Sequence, residues 1–366
     1  MSTNQTYMTR ALQLANRGCF TTDPNPRVGC VLVKDNQIIG EGWHQRAGEA
    51  HAEINALNDA GEQSKGADCY VTLEPCGHFG RTPPCADALI QADVKRVYIA
   101  MQDPNPQVAG QGIAKLKEAG IEVVVGILEN EAEQLNKGFC KRMRTGRPFV
   151  RSKIAMSLDG RTAMSSGESQ WITGPEARQD VQKLRAQSSA IMTGTGTILT
   201  DDPSLTVRPE GDWYPAGKEV RQPLRIVVGK DPEIPEYAHL FDDLHEVLFV
   251  TTKQRERGNV VDVLTVPEKN GNVDLTTMMT ALAKRGINEI MVEAGSTLNG
   301  ALLEAGLIDE LIIYMAPKLM GDSAKGLFHL PELQTMAQNI DLNITDIRAV
   351  GNDWRITATP NYKKVG

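Results

Sequence analysis

The sequence predicts an α/β protein in two domains, the first over residues 1–146 and the second over residues 147–366. Three observations predict it. A chain of 366 residues is about two ordinary domains long. Strand-sized apolar runs alternate with helix-sized periodic ones through both halves, which is the pattern of layered α/β folds. Finally, the turn Thr145-Gly146-Arg147-Pro148 separates the last helix of the first half from the first strand of the second.

Residues 7–17 carry Met8, Leu12 and Ala15 at helical spacing and stop at Gly18. Runs 28–34 and 37–43 flank Asp35-Asn36, a hairpin signal. Residues 51–60 read as a helix closed by Gly61, 67–73 as a strand, 83–91 as a helix with proline in its first turn, and 96–101 as a strand. A helix over 112–119 ends at Gly120, a strand covers 121–125, and a single helix covers 129–144. The second half opens on a strand at 149–155. A helix follows at 175–186, then a strand at 190–193 and a glycine-rich turn, Gly194-Thr195-Gly196. Residues 208–223, rich in glycine, proline and charge, read as a surface excursion. The alternation resumes with strands at 224–228, 246–251 and 260–266, a helix at 275–285 and a strand at 289–293. It closes with a helix at 297–305, a strand at 310–315 and a hairpin over 341–359 around Gly351-Asn352-Asp353.

Composition narrows the function. The hydrophobic share of 41% and charged share of 23% are those of a globular protein with real cores. No apolar run approaches the ~20 residues of a membrane span, and the first ten residues hold no apolar leader, so a cytoplasmic protein is expected. A net charge of −7 argues against a nucleic-acid surface. An acid-free basic run, Lys141, Arg142, Arg144, Arg147, Arg151 and Lys153, begins as a solvated face. Lys153 differs, because it interrupts an apolar strand. Six cysteines without an export signal read as reduced thiols rather than a disulfide framework. The sequence leaves oligomeric state open, a homo-oligomer included.

The residues that carry chemistry are His51-Ala52-Glu53 and Pro75-Cys76-Gly77-His78, leading to Pro84-Cys85. One imidazole and two thiolates are good zinc ligands, and three protein ligands leave a fourth position for water. Zinc lowers the pKa of such a water from 15.7 to roughly 7. Deamination needs this nucleophile at the amino-bearing ring carbon, and a carboxylate to carry its proton to the departing ammonia. Glu53 is assigned that shuttle. Residues two apart do not share a helix face, but in a first turn both side chains lean back toward the N-terminus and reach a metal beyond the helix end. The general signature of zinc deaminases is H-x-E with a later P-C-x-x-C. Here eight residues separate Cys76 from Cys85, which speaks against a plain tRNA or cytidine deaminase. A structural zinc, or a zinc-stabilised binding module, leaves Glu53 without a purpose. Cys69 or His78 as a fourth ligand would close the site; the open site is preferred. Cys19, Cys30 and Cys140 read as packing residues.

The stretch Pro75-Cys76-Gly77-His78-Phe79-Gly80-Arg81-Thr82-Pro83-Pro84-Cys85 carries a resemblance to a known family. Asp23-Pro24-Asn25-Pro26-Arg27-Val28-Gly29 and Gly42-Trp43-His44 add to it upstream. Downstream, so do Ser157-Leu158-Asp159-Gly160, Gly167-Glu168-Ser169-Gln170-Trp171-Ile172-Thr173, Asp201-Asp202-Pro203 and Val292-Glu293-Ala294-Gly295. Over essentially its whole length the chain resembles the bifunctional deaminase/reductases of riboflavin biosynthesis. The resemblance implies a cytidine-deaminase-like three-layer domain followed by a dihydrofolate-reductase-like α/β domain. It also implies one zinc per chain, NADPH, and phosphorylated pyrimidine substrates.

For the first domain, the resemblance places Asn25 and His44 beside the pyrimidine. In the second it assigns Ala155, Trp171, Thr197, Asp201 and the run Gly295, Ser296, Thr297, Leu298, Asn299, Gly300 and Ala301 to NADPH. Ser169, Arg185, Leu205, Arg208 and Glu293 are assigned to substrate, and Lys153 is expected beside it. Arg185 and Arg208 suit a phosphate, since guanidinium forks bind phosphate in a bidentate way. The chain departs from the family pattern at Gly229-Lys230, where a small polar residue is usual, so Lys230 is the candidate partner of the NADPH 2′-phosphate. On residue chemistry alone, Gly295 follows a strand and opens a helix that Ser296 or Thr297 can cap, a place that favours phosphate. The motif is not G-x-G-x-x-G, so a Rossmann domain is not supported. No proton donor for the reductase step is assigned. His239, His245 and His329 belong to no motif and read as surface residues.

Overall fold

The computed structural model describes residues 2–77, 84–230, 234–254 and 261–362. The chain forms two compact units, Met1–Gly146 and Arg147–Gly366.

Unit 1 contains α1 (Thr3–Asn16), β1 (Gly29–Lys34), β2 (Gln37–Trp43), α2 (Ala52–Ala60), β3 (Asp68–Leu73), α3 (Cys85–Gln91), β4 (Arg96–Met101), α4 (Gln111–Glu118), β5 (Glu122–Val125), α5 (Glu129–Leu135) and α6 (Lys137–Thr145). Its described strands form one sheet in the order β2-β1-β3-β4-β5. The β2-β1-β3 part is antiparallel, whereas β3, β4 and β5 run parallel. β1, β3 and β4 are nearly continuous apolar runs because helices cover both faces, and Cys30, Leu32, Val71, Ile99 and Met101 lie fully inside. The single helix expected over 129–144 is instead two. Asn136 sits between them at φ −116°, buried, its side chain accepting from Arg27 N (2.8 Å) and donating to Arg27 O (2.9 Å). These two bonds tie the break between the helices to the Arg27 segment.

Unit 2 contains β6 (Phe149–Ser157), β7 (Arg161–Ala163), α7 (Pro175–Gln187), β8 (Ala190–Gly194), α8 (Thr195–Asp201), β9 (Leu224–Val228), β10 (Val247–Thr251), β11 (Val261–Thr265), β12 (Glu268–Lys269), β13 (Asn272–Val273), α9 (Leu275–Lys284), β14 (Glu289–Val292), α10 (Ser296–Glu304), β15 (Glu310–Ala316), β16 (Lys325–Gly326), β17 (Asp341–Val350) and β18 (Asp353–Asn361). Among the described residues the main sheet has nine strands in the order β11-β10-β9-β8-β14-β6-β15-β18-β17. It is parallel from β11 to β15 and ends in the antiparallel β17-β18 hairpin. The Gly194-Thr195-Gly196 stretch, expected as a turn, starts helix α8, with Gly194 as its N-cap. The 208–223 excursion has no strand or helix, as expected, but it is pinned. Arg221 donates to the carbonyls of Ala186 and Ser188 (both 2.8 Å), and the Gln222 amide bridges both backbone groups of Val207. No described helix is long and apolar enough to cross a membrane.

Candidate functional site

In unit 1, β3 runs out into Glu74-Pro75-Cys76-Gly77, and α2 begins at its N-cap residue, His51. His51 is extended rather than helical (φ −73°, ψ 164°), while Glu53 lies in the first turn. This half-in, half-out arrangement lets both side chains face one point. The ligand atoms of His51, Cys76 and Cys85 lie within 4.8 Å of one another. His51 Nδ1 is 3.2 Å from Cys85 Sγ and 3.7 Å from Cys76 Sγ. Tetrahedral zinc with Zn–S near 2.3 Å and Zn–N near 2.0 Å would separate its ligands by about 3.5–3.8 Å. The donor set therefore fits the ion with little rearrangement.

The electrostatics agree. Hydrogen bonds from the Cys85 thiol and His51, with the Cys85 N–H at 3.2 Å, outweigh burial and hold Cys76 as a thiolate, drawn down to about 4. The Cys85 thiol, sharing its proton with that sulfur and buried, is pushed far up, and His51 is raised by Cys76. Thiolate, thiol and imidazole thus share a proton that a divalent cation could replace. Glu53 is buried, and that burial lifts its carboxyl to about 7, while His51 pulls the other way. Asn25 Nδ2 is 3.1 Å from His44 Nε2, and His44 Nδ1 is 3.1 Å from Ala50 O. A carbonyl needs a donor, so Nδ1 carries the proton and Nε2 accepts from Asn25. The His44 ring stands edge-on to that of His51, with centroids 5.5 Å apart. Cys69 is apart from the cluster, its sulfur 3.5 Å from Cys30 Sγ, and His78 lies outside the described residues.

Unit 2 holds a cavity of about 1460 Å³ at the C-terminal ends of its parallel strands, the usual place for ligands in open α/β sheets. Of the residues expected there, Lys153, Ala155, Ser169, Trp171, Arg185, Thr197, Asp201, Leu205, Arg208, Lys230, Glu293, Gly295, Ser296, Thr297, Leu298 and Ala301 all line it. Asn299 and Gly300 do not. Asn299 turns into the core, accepting from Ser152 Oγ (2.7 Å) and donating to Ala294 O (2.7 Å). A Cβ on Gly300 would lie 2.1 Å from His329 O, so this glycine serves close packing. The expected side-chain cap of α10 is also absent. Gly295 is the N-cap, with no capping side chain, and the first N–H groups stay available at the cavity wall.

The charged groups of the cavity differ in how far they are paired within the protein. Arg185 donates to both Glu293 oxygens (2.6 and 3.1 Å) and to Thr206 O (2.9 Å). At the cavity wall its fork thus clamps Glu293 and the Thr206 carbonyl. Lys153 Nζ approaches Glu293 at 3.2 Å. Burial alone would raise the Glu293 carboxyl, but Arg185 and Lys153 hold it at about 2. Arg208, by contrast, is exposed at the rim. The loop between them is strained, with Asp202 at φ 42° and Leu205 at φ 53°. It is held by Arg185, by the fully buried Arg225 reaching Ser204 O (3.3 Å), and by His239 against Asp202 (3.0 Å). Arg225 carries no motif, and sequence reasoning missed it; its only signal is an arginine opening an apolar strand. His239 is exposed as expected, yet also lines the cavity. Ser169 Oγ donates to Asp201 Oδ1 (2.9 Å), joining a residue assigned to substrate with one assigned to cofactor. The Trp171 indole is exposed at the rim beneath Arg178, 4.7 Å from its ring centroid.

Fold and sites define a two-domain protein, with a zinc-deaminase-type site in the first domain and a ligand-sized cavity in the second. Residues 1–101 match the family described as the cytidine and deoxycytidylate deaminase zinc-binding region, and residues 148–356 match the RibD C-terminal domain. The riboflavin biosynthesis protein RibD of Escherichia coli is 57% identical over 355 residues, covering 95% of this chain and 96% of that protein. The RibD structure from Acinetobacter baumannii (form 1) superposes with a TM-score of 0.92 at 46% identity, covering 98% of this chain and 99% of that one. A Thermotoga maritima diaminohydroxyphosphoribosylaminopyrimidine deaminase/5-amino-6-(5-phosphoribosylamino)uracil reductase superposes at 0.87 with 32% identity, again covering 98% and 99%. The chain belongs to the RibD family of riboflavin biosynthesis proteins. It is a bifunctional enzyme, deaminase and reductase in one polypeptide, with the deaminase-like and dihydrofolate-reductase-like domains that the sequence predicts.

Proposed function

We propose that unit 1 hydrolyses the ring amino group of 2,5-diamino-6-(5-phosphoribosylamino)pyrimidin-4-one, using one zinc held by His51, Cys76 and Cys85. Unit 2 then reduces the ribosyl chain of the resulting aminouracil to ribityl with NADPH. The observation that carries this reading is the convergence of one imidazole and two thiols within 4.8 Å, beside the buried Glu53 carboxyl. Zinc, when bound, supplies a water acidic enough to attack near neutral pH. Glu53, buried beside these ligands, would carry a proton from the attacking water to the leaving amine. A ring C–O bond forms, the C–N bond breaks, and ammonia departs. With Asn25 Nδ2 committed to His44, the Asn25 amide oxygen is left to accept from a ring N–H.

NADPH, when bound in unit 2, supplies the hydride. The N–H groups opening α10, at Gly295 to Leu298, suit its pyrophosphate. Ala155, Trp171, Thr197, Asp201 and Ala301 form the remaining walls. Lys230, 3.2 Å from Glu268, is the partner for the 2′-phosphate. Arg208 and Arg185 take the substrate phosphate, and Ser169, Leu205, Lys153 and Glu293 contact the sugar. Six free thiols and a net charge of −7 suit a cytoplasmic enzyme of small molecules. Ammonia release and NADPH consumption by the same purified chain test the reading. Turnover of ammonia by a metal-free protein would sink it.

A further inference from the structure

Glu74, two residues before Cys76, is a buried acid that the chemistry above does not use. Its carboxylate accepts four backbone N–H groups. Oε2 receives those of Asp103 (3.1 Å) and Gly110 (3.0 Å), and Oε1 those of Gly112 (3.0 Å) and Ile113 (3.2 Å). Glu74 N donates in turn to Met101 O (3.0 Å). Gly110 is the N-cap of α4, so three of the four donors belong to a helix start that has no internal partners for them. A negative group there is also favoured by the helix dipole. Close packing reinforces the joint, since a Cβ on Gly112 would lie 1.8 Å from Pro75 O. One side chain therefore fastens the loop carrying Cys76 to the 103–110 loop and to the first turn of α4.

We propose that Glu74 is a positioning residue for deamination, holding the Cys76 loop where its sulfur can share a ligand set with His51 and Cys85. The proposal rests on the metal reading above. Glu74 acts through Cys76 and touches neither metal nor substrate. An ordinary fold-stabilising carboxylate would predict a lower melting temperature and nothing else. A positioning residue predicts an altered metal site in a protein that is still folded.

The test uses the full chain carrying Glu74→Gln, in which an amide NH₂ confronts backbone donors that the carboxylate had satisfied. Zinc affinity is measured by chelator competition, and cobalt(II) spectra are recorded, at a temperature where far-ultraviolet circular dichroism matches wild type. Metal affinity should fall about 10–100-fold, the usual cost of losing such a partner, with a changed thiolate-to-cobalt band. Unchanged affinity and spectrum, with only a lower melting temperature, would overturn the proposal. If the variant does not fold, wild-type amide exchange decides. Because coupling is reciprocal, removing zinc should speed exchange at Asp103, Gly110, Gly112 and Ile113, and no change at these amides would overturn it. A wild-type chain that binds no zinc would overturn the ligand assignment itself, whereas a zinc-binding wild type with an indifferent Glu74→Gln variant removes only the role of Glu74.

Discussion

In unit 1 the candidate groups come from two short stretches, His51 to Glu53 and Cys76 to Cys85, and the ligand atoms of His51, Cys76 and Cys85 lie within 4.8 Å of one another. The cavity of unit 2 draws on β6, α7, α8, the ends of β9 and β14, and α10. The difference follows from where each chemistry resides. A metal cluster and its proton shuttle are made of side chains of particular types, and only a few types will serve. In hydride transfer the cofactor brings the reactivity, so the protein contributes shape, N–H groups and a few charges.

The largest way to break this comparison is Glu53→Ala. Ammonia release should fall by at least 10²–10⁴-fold, while NADPH oxidation with the already deaminated pyrimidine stays near wild type. Coupled stopped-flow assays read both, and a parallel loss would mean that the units share one catalytic centre. Next is Cys76→Ser, where a neutral hydroxyl replaces a thiolate ligand. Metal per chain should drop well below one by elemental analysis, and full occupancy would refute the ligand assignment.

Two arginines then sharpen the picture in unit 2. Arg208→Ala should weaken substrate binding by about 1.5–3 kcal/mol, the value of a charge-assisted contact, with little change for NADPH or for melting. Arg185→Ala leaves Glu293 buried with one partner fewer, so it should lower the melting temperature as well as binding. Calorimetric titration and thermal scans separate the two; identical behaviour would undo the distinction between rim and clamp. The smallest effect is in acid. The folded Glu293 carboxyl titrates at about 2, below its ordinary 4.5. Its contribution to stability is therefore complete above 4.5 and is lost as pH falls toward 2. Glu293→Gln should flatten the dependence of melting temperature on pH in that window, and an unchanged slope would place the acid sensitivity elsewhere.

The same contrast governs what could be read from sequence. Strand and helix order was legible because apolar periodicity is local, and the convergence of His51, Cys76 and Cys85 because one imidazole and two thiols in that order have few other uses together. The break at Asn136 was not legible, since its partner Arg27 is 109 residues away. Nor was the fate of Arg185, because a guanidinium fits phosphate and carboxylate alike and only the fold brings Glu293 to it. Asn299 and Gly300 sat inside a run whose other members line the cavity, yet a helix start turns only one face to it. Glu74 escaped notice because it binds backbone groups, which leave no trace in residue identity, and Arg225 because its carboxylate partner Asp243 and its backbone acceptors are met only in the fold.

The central claim is that one chain runs two chemistries at separate sites, of which only the first requires metal. Chelating the full-length enzyme and assaying both reactions on the same sample tests it most directly. The account predicts that ammonia release disappears and returns on adding zinc, while NADPH oxidation of the deaminated pyrimidine holds throughout. Loss and recovery of both activities together would contradict it.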